Sequence, residues 1–289
     1  MNTVNFLHWG NCGDVWASIP AIREYCRKFN SKANVYLEKD HLAEYYEGAT
    51  HPVKSDGGEM VCLNQKMIDM MIPLLLAQPF IQDAKLYDGE KIHVDLNKIR
   101  LTNVRMPNGS INRWYFYCFP NLACDLSKPW LEVPDTDKNF AKGKILINRT
   151  ERYTNPNINY EFLKPYEDEC LFIGTMREYN NFTMNNGLEI RKLNVNNFLE
   201  YAQAIKQSKF YISNQSQGYQ LCQGQFHPSI LEVCSAAPNV IPIGDKMYDF
   251  WGQTALEYYF HELNEAGGSE YIEQLKNKTG HEVVPFEEN

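Results

Sequence analysis

No stretch of this 289-residue chain stays apolar for long. The longest run, Met70 to Ala77, has eight residues and contains Pro73, far short of the roughly 20 that a membrane-spanning helix needs. No basic segment followed by an apolar one opens the sequence, so no secretory signal is read, and a soluble, cytoplasmic protein is expected. The eight cysteines, at 12, 26, 62, 118, 124, 170, 222 and 234, show no CxxC spacing. Neither structural zinc nor a disulfide framework is therefore expected. The seven histidines form no HxxxH or HExxH pair. Also missing are the dinucleotide fingerprint GxGxxG, the phosphate loop GxxxxGK[ST] and the nucleophile elbow GxSxG. There is no internal repeat and no low-complexity tract.

What is present is ordinary globular material: 44% hydrophobic and 22% charged residues, with 18 Tyr and 15 Phe to fill a core. The length allows one large domain or two of about 140 residues. The net charge of −8 is unevenly placed. Residues 245–289 hold ten acids against three lysines, a net −7. Residues 91–128 carry Lys91, Lys98, Arg100, Arg105, Arg113 and Lys128 against Asp95 and Asp125, a net +4 interleaved with Trp114, Tyr115, Phe116 and Tyr117. That stretch reads first as a solvated face beside a buried strand, and second as a patch for an anionic acceptor.

Thr3–Trp9 is β-branched and aromatic and reads as a strand. It runs into the turn Gly10-Asn11-Cys12-Gly13-Asp14. Val15 to Phe29 then spaces its apolar residues as an amphipathic helix does, and Asn34–Glu38 is the next strand. This is a βαβ unit and implies a parallel sheet. Val61–Asn64, Lys85–Tyr87 and Ile92–Leu96 read as further strands, with a helix over Gln65–Ala77. The polar, apolar-poor segment 133–144 is the best linker. After it, Lys144–Asn148, Cys170–Gly174, Glu189–Leu193, Phe210–Asn214 and Val240–Ile243 read as strands, and Asn197–Lys206 and Pro228–Ala236 as helices. Closing helices are expected over Thr254–Leu263 and Ser269–Lys276. The expected fold is α/β with two doubly wound, Rossmann-like domains, 1–135 and 143–265, and a tail, 266–289, packed back on the first.

In open parallel sheets ligands bind beyond the carboxyl ends of the strands. Three segments fall there. In the first, Gly10, Asn11 and Gly13 allow a tight turn, and Asp14 stands near the helix start, where capping alone would explain it. In the second, Asn214, Ser216, Gln217 and Gly218 follow a strand and lead a helix, a ready anion site. The third holds Ser229 and Glu232, a carboxylate among apolar residues that needs either water or a ligand hydroxyl. Arg149 and Arg152 follow a strand and are of the type that clamps phosphate oxygens bidentately; surface ion pairing with Glu151 or the acidic tail is the alternative. Asp135-Thr136-Asp137 has the letters of a metal–diphosphate motif but lies in the linker, so no metal site is expected.

Residues 8–29, with Gly13-Asp14 and Ser18-Ile19-Pro20-Ala21-Ile22-Arg23, resemble the opening of the heptosyltransferase-like glycosyltransferases, glycosyltransferase family 9. Residues 198–218 are similar to that family's donor-side helix, strand and phosphate loop, except that Gln215 stands where the family usually has aspartate and the downstream histidine is missing. Residues 227–244 resemble the glutamate-bearing donor helix of two-domain nucleotide-sugar transferases. The resemblance implies a GT-B architecture, with the acceptor on the first domain and a nucleotide sugar on the second. It implies Asp14 as general base for inverting, metal-independent transfer. It also implies a donor site formed by Arg149, Arg152, Gly174, Asn214, Ser216, Gln217, Gly218, Ser229 and Glu232, with no cofactor beyond the donor itself. The acceptor expected from the family is a surface saccharide. A hydroxylated base in DNA is the alternative that the 91–128 stretch suggests, and a nucleotide-sugar epimerase or a binding module without catalysis are the alternatives of other classes.

Overall fold

The computed structural model of the protein describes residues 2–43, 51–103, 105, 108–119, 121–265 and 267–279. The last part of the expected tail, 280–289, with Glu282, Glu287 and Glu288, lies outside them. Two all-parallel sheets organise the chain. The first has the order β3-β2-β1-β4, from β1 (Asn2–His8), β2 (Ser31–Leu37), β3 (Ile81–Leu86) and β4 (Val94–Asp95). Its helices are α1 (Cys12–Phe29), α2 (Gln65–Leu76) and the single turn α3 (Ile111–Trp114). The second sheet has the order β10-β9-β8-β5-β6-β7, from β5 (Ile145–Asn148), β6 (Cys170–Ile173), β7 (Arg191–Leu193), β8 (Phe210–Asn214), β9 (Ser229–Glu232) and β10 (Met247–Phe250). With it go α4 (Met176–Asn186), α5 (Phe198–Gln207) and α6 (Gln217–Gln225), and the closing helices are α7 (Gln253–Glu265) and α8 (Gly268–Thr279).

The two sheets do not stand on separate cores. One apolar cluster runs from Phe6, Trp16 and Leu37 through Trp114 and Trp130 to Phe198, Tyr201, Tyr219 and Leu231. Helix α1 packs on α6 and α2 on α5, so helices of both halves share one buried layer. The connecting chain is fastened to that layer. The Trp130 and Leu131 N–H groups both donate to the Gly224 carbonyl at 2.9 Å, where a Cβ at position 224 would come within 2.8 Å of Leu131 Cβ. The second cluster, around Phe172, Phe182, Phe210 and Phe260, fills the other face of the second sheet.

Three elements depart from the sequence reading. Residues 228–236 are not helical: Ser229–Glu232 is β9, wholly buried between β8 and β10. Ile230, Leu231 and Val233 signal burial, but over so short a stretch periodicity cannot tell a buried strand from a helix. The expected strand Val240–Ile243 is irregular; Pro242 lies within it and Pro238 just before it, and neither has the N–H that a ladder requires. The final strand is instead Met247–Phe250. Val61–Asn64 joins neither sheet; Val61 makes an isolated antiparallel bridge to Leu42, while Val61, Cys62 and Leu63 are buried by packing. Helix α4 is an addition; its mean apolar content is low, but Thr175 and Glu178 form a capping box that sequence inspection can find.

Candidate functional site

Loops at the carboxyl ends of the strands of both sheets line one cavity of about 590 Å³. On the first side β1 ends at His8, and the turn 9–11 delivers the chain into α1. His8 is buried, and its Nδ1 accepts from the Gly10 N–H at 2.9 Å. Its Nε2 must then carry the proton and donate to the Tyr115 hydroxyl, also at 2.9 Å. Burial, aided by the Arg100 charge, pushes the His8 pKa down to about 3, so the ring is a neutral strut. Gly10 has no space for a side chain: a Cβ would lie 2.7 Å from the His8 ring and 2.9 Å from the Asp14 carboxylate.

Asp14 is mostly buried and lines the cavity. Its Oδ2 accepts from the Asn11 N–H at 3.1 Å, one arm of a capping box, and from Arg100 at 3.1 Å. Arg100 in turn lies over the Trp9 indole, 4.9 Å from its centroid, and Trp9 stacks on His41. Burial raises the Asp14 pKa, and Arg100, the Asn11 N–H and Arg152 act against it. The neighbouring Cys12 thiol is pushed up to about 12 by burial and is no nucleophile at neutral pH.

On the second side the N-termini of α4 and α6 meet that of α1. Gly13 faces the Gln217 backbone, with its ideal Cβ position 3.7 Å from Gln217 N. Ser216 Oγ donates to Asn148 Oδ1 at 3.0 Å, and Asn148 Nδ2 donates to the Ile173 carbonyl, tying the ends of β5, β6 and β8 together. At Gly174 a Cβ would meet Phe172, Asn148 and Glu178 within 3.0 Å. Arg152, Arg177, Lys192 and Lys66 bring positive charge to the lining. The acids beside them are engaged: Glu151 accepts from Arg177 and Asn181, and Glu178 from the Thr175 N–H and hydroxyl. Converging helix N-termini and guanidinium groups form a site suited to an anion.

Of the residues singled out from sequence, the fold brings Asn11, Gly13, Asp14, Arg152, Gly174, Ser216 and Gln217 to this cavity. The others lie behind it. Arg149 donates from Nε and Nη2 to the two Glu232 carboxylate oxygens, both at 2.7 Å. Glu232, fully buried, also accepts from the Asn155 N–H at 2.6 Å and the Tyr160 hydroxyl at 3.1 Å. The partner that the sequence left open for Glu232 is therefore Arg149. Asn214 exchanges hydrogen bonds with Thr150 and donates to the Arg152 carbonyl, which shapes the loop that carries Arg152. Gly218 is pressed against the Tyr201 and Tyr211 hydroxyls, and Ser229 is buried at the start of β9.

Trp114, Tyr115 and Phe116 belong to the core and only Tyr117 of that run is exposed, so three of the four rings are not available to stack on a nucleic-acid base. Arg100, from that stretch, serves Asp14 instead. Asp135 is exposed and pairs with Lys206. Among the described residues no group of three His, Cys, Asp or Glu side chains is placed to hold a metal ion, and no helix is long and apolar enough to cross a membrane. Asn148, Thr175, Glu178 and Gln220 also line the cavity without having been singled out. The Thr175-x-x-Glu178 spacing was a usable signal; Asn148 and Gln220 carried none.

No family model matches the sequence, and no curated protein matches it. Solved structures do. A glycosyl transferase of family 9 from Veillonella parvula superposes with a TM-score of 0.59 over 96% of this chain and 98% of its own, at 10% identity. The E. coli ADP-heptose lipopolysaccharide heptosyltransferase II gives 0.57 over 97% and 100%, at 12% identity. E. coli heptosyltransferase WaaC, solved with ADP, gives 0.55 over 90% and 99%, at 9% identity. The chain has the two-sheet, Rossmann-like GT-B fold of these heptosyltransferase-like proteins.

Proposed function

We propose that the protein is a glycosyltransferase that moves a sugar from a nucleoside diphosphate to a hydroxyl of a saccharide acceptor. The observation that carries this reading is the cavity itself, where the N-termini of α1, α4 and α6 converge with Arg152 on one side and a mostly buried carboxylate, Asp14, on the other. The structural neighbours act as a second support, since two are named heptosyltransferases and one was solved with ADP.

In this reading the diphosphate lies against the starts of α4 and α6, near Gly174, Thr175, Ser216 and Arg152. Their N–H dipoles and positive charge stabilise the phosphate oxygen that takes the electron pair as the sugar C1–O bond breaks. The acceptor oxygen forms the new bond to C1 while Asp14 removes its proton, an inverting displacement that uses no metal. Arg100 favours the ionised form of Asp14 against its burial, and the neutral His8 ring holds the Gly10 turn that aims it. Arg149 and Glu232 support the loop 149–160 from behind and do not touch the donor.

Product formation from a panel of nucleotide sugars and oligosaccharides tests this directly, with Asp14→Asn as the variant. Loss of turnover by about 10²–10⁴-fold with nucleotide binding retained is the expected result. Full turnover in Asp14→Asn would remove the general-base assignment. Isomerisation of the donor with no acceptor present would replace transfer by epimerisation.

A further inference from the structure

One corner of the cavity is built differently from the rest. It is formed by Ile111, Gln215, Gln217, Gln220, Asn239 and Val240, and it contains no charged side chain. The corner is the junction of the two halves. The Ile111 N–H donates to the Asn239 carbonyl at 3.0 Å, and Asn112 Nδ2 donates to Gln220 Oε1 at 3.1 Å. Gln215 is fully engaged, donating to the Ala237 carbonyl and Asn239 Oδ1 and accepting from the Cys234 N–H.

Gln220 is not. It lines the cavity but is only 3% exposed; its Oε1 serves Asn112, and its Nε2, itself buried, has no hydrogen-bond partner. A buried amide donor left unmatched costs more than a hydrogen bond returns, so an orphan at a cavity wall is a place where a ligand oxygen is wanted. Gln220 stands one turn after Gln217 on α6, so both amides face the same way. The oxygen they would meet is uncharged: an anion would find no cation in this corner, whereas Arg152, Arg177 and Lys192 stand on other elements of the lining. Ile111 and Val240 add an apolar wall. A polyhydroxylated ring with an apolar C–H face has that mixture of properties, and a phosphate does not.

We infer that this corner seats the sugar carried by the nucleotide, with Gln220 Nε2 donating to one of its oxygens and so helping to choose the sugar. This rests on the transferase reading, and it places the sugar beside the N-terminus of α1, where Asp14 stands. The Asn112–Gln220 bond makes the seat a joint product of both halves of the chain.

Calorimetric titration tests it, with ADP, UDP, GDP, CDP and dTDP and then the glucose, galactose and mannose conjugates of the best of them. Gln220→Glu keeps an oxygen for Asn112 and removes the amide donor, Gln220→Met removes both, and Asn112→Leu removes only the bond across the junction. In either Gln220 variant the affinity for the bare diphosphate stays within about twofold, while the preference for the tightest sugar conjugate falls roughly tenfold. Asn112→Leu leaves the amide donor in place and lowers that preference by less than either Gln220 variant. If either folded Gln220 variant discriminates conjugate from bare diphosphate as the unmodified protein does, the inference is overturned while the transferase reading stands. If the unmodified protein binds no diphosphate and no conjugate, both fall together.

Discussion

At the scale of single residues, two buried polar clusters have different uses, and mutation separates them. The Arg149–Glu232 pair is desolvated and bidentate, with Glu232 fully buried. Burial works against the charge on Arg149, but the carboxylate outweighs it and the Arg149 pKa is raised. Removing one partner strands the other, so Glu232→Gln or Arg149→Met alone should destabilise by about 3–5 kcal/mol. The double variant Arg149→Met/Glu232→Leu should recover part of that loss in urea unfolding. The buried histidines govern the acid side. His8, His51 and His227 are held at about 3, 4 and 4, mainly by burial. As the pH falls below about 6.5, the unfolded chain binds protons that these folded rings refuse, so stability must fall with pH. The urea midpoint should drop between pH 7.5 and 5.5, and His8→Gln should flatten the slope. Unchanged midpoints would mean that these rings are charged in the fold. Asp14, raised by burial, sets the opposite kind of limit: activity that needs its carboxylate should fade at a pH above the usual carboxylate range.

At the scale of elements, helix α6 carries the site. Its start faces α1 through Gly13, its first turns present Gln217 and Gln220, and Gly218 closes on two tyrosine hydroxyls. A Cβ at 218 would lie 2.2 Å from Tyr211 Oη and 2.5 Å from Tyr201 Oη. Gly218→Ala should therefore push α6 off its seat, lowering stability by about 1–3 kcal/mol and weakening nucleotide binding with it. Retained binding with a lowered melting temperature would separate the two effects. The turn at 10–14 and the polar segment 213–218 were legible in the sequence because turn and capping chemistry is local, and both stand at the cavity. Gly174 and Arg152 could likewise be placed from the strands they follow. Glu232 could not, because its partner is 83 residues away and its four-residue strand has no period of its own. The aromatic run 114–117 shows the same limit from the other side: composition marks a basic-aromatic surface, but only the packing against α1 and β1 puts three of the four rings inside.

At the scale of the molecule, the segment 133–144 has the composition of a linker, yet the helices on either side share one core. Such a chain should unfold as one unit, with tryptophan fluorescence and far-ultraviolet circular dichroism giving coincident urea transitions. Two separated transitions would show halves that are stable by themselves. The shared core also fixes the cavity walls relative to each other, so Asp14 and the starts of α4 and α6 face one volume before any ligand arrives. Binding of a nucleoside diphosphate in that volume is the most direct test of the proposed function. In a thermal-shift series with ADP, UDP, GDP, CDP and dTDP, one of them at 100 times its Kd should add about 2.7 kcal/mol of stability, and Arg152→Gln should abolish most of the shift. A melting temperature indifferent to all five, or a shift that survives intact in Arg152→Gln, would contradict a diphosphate site at this cleft.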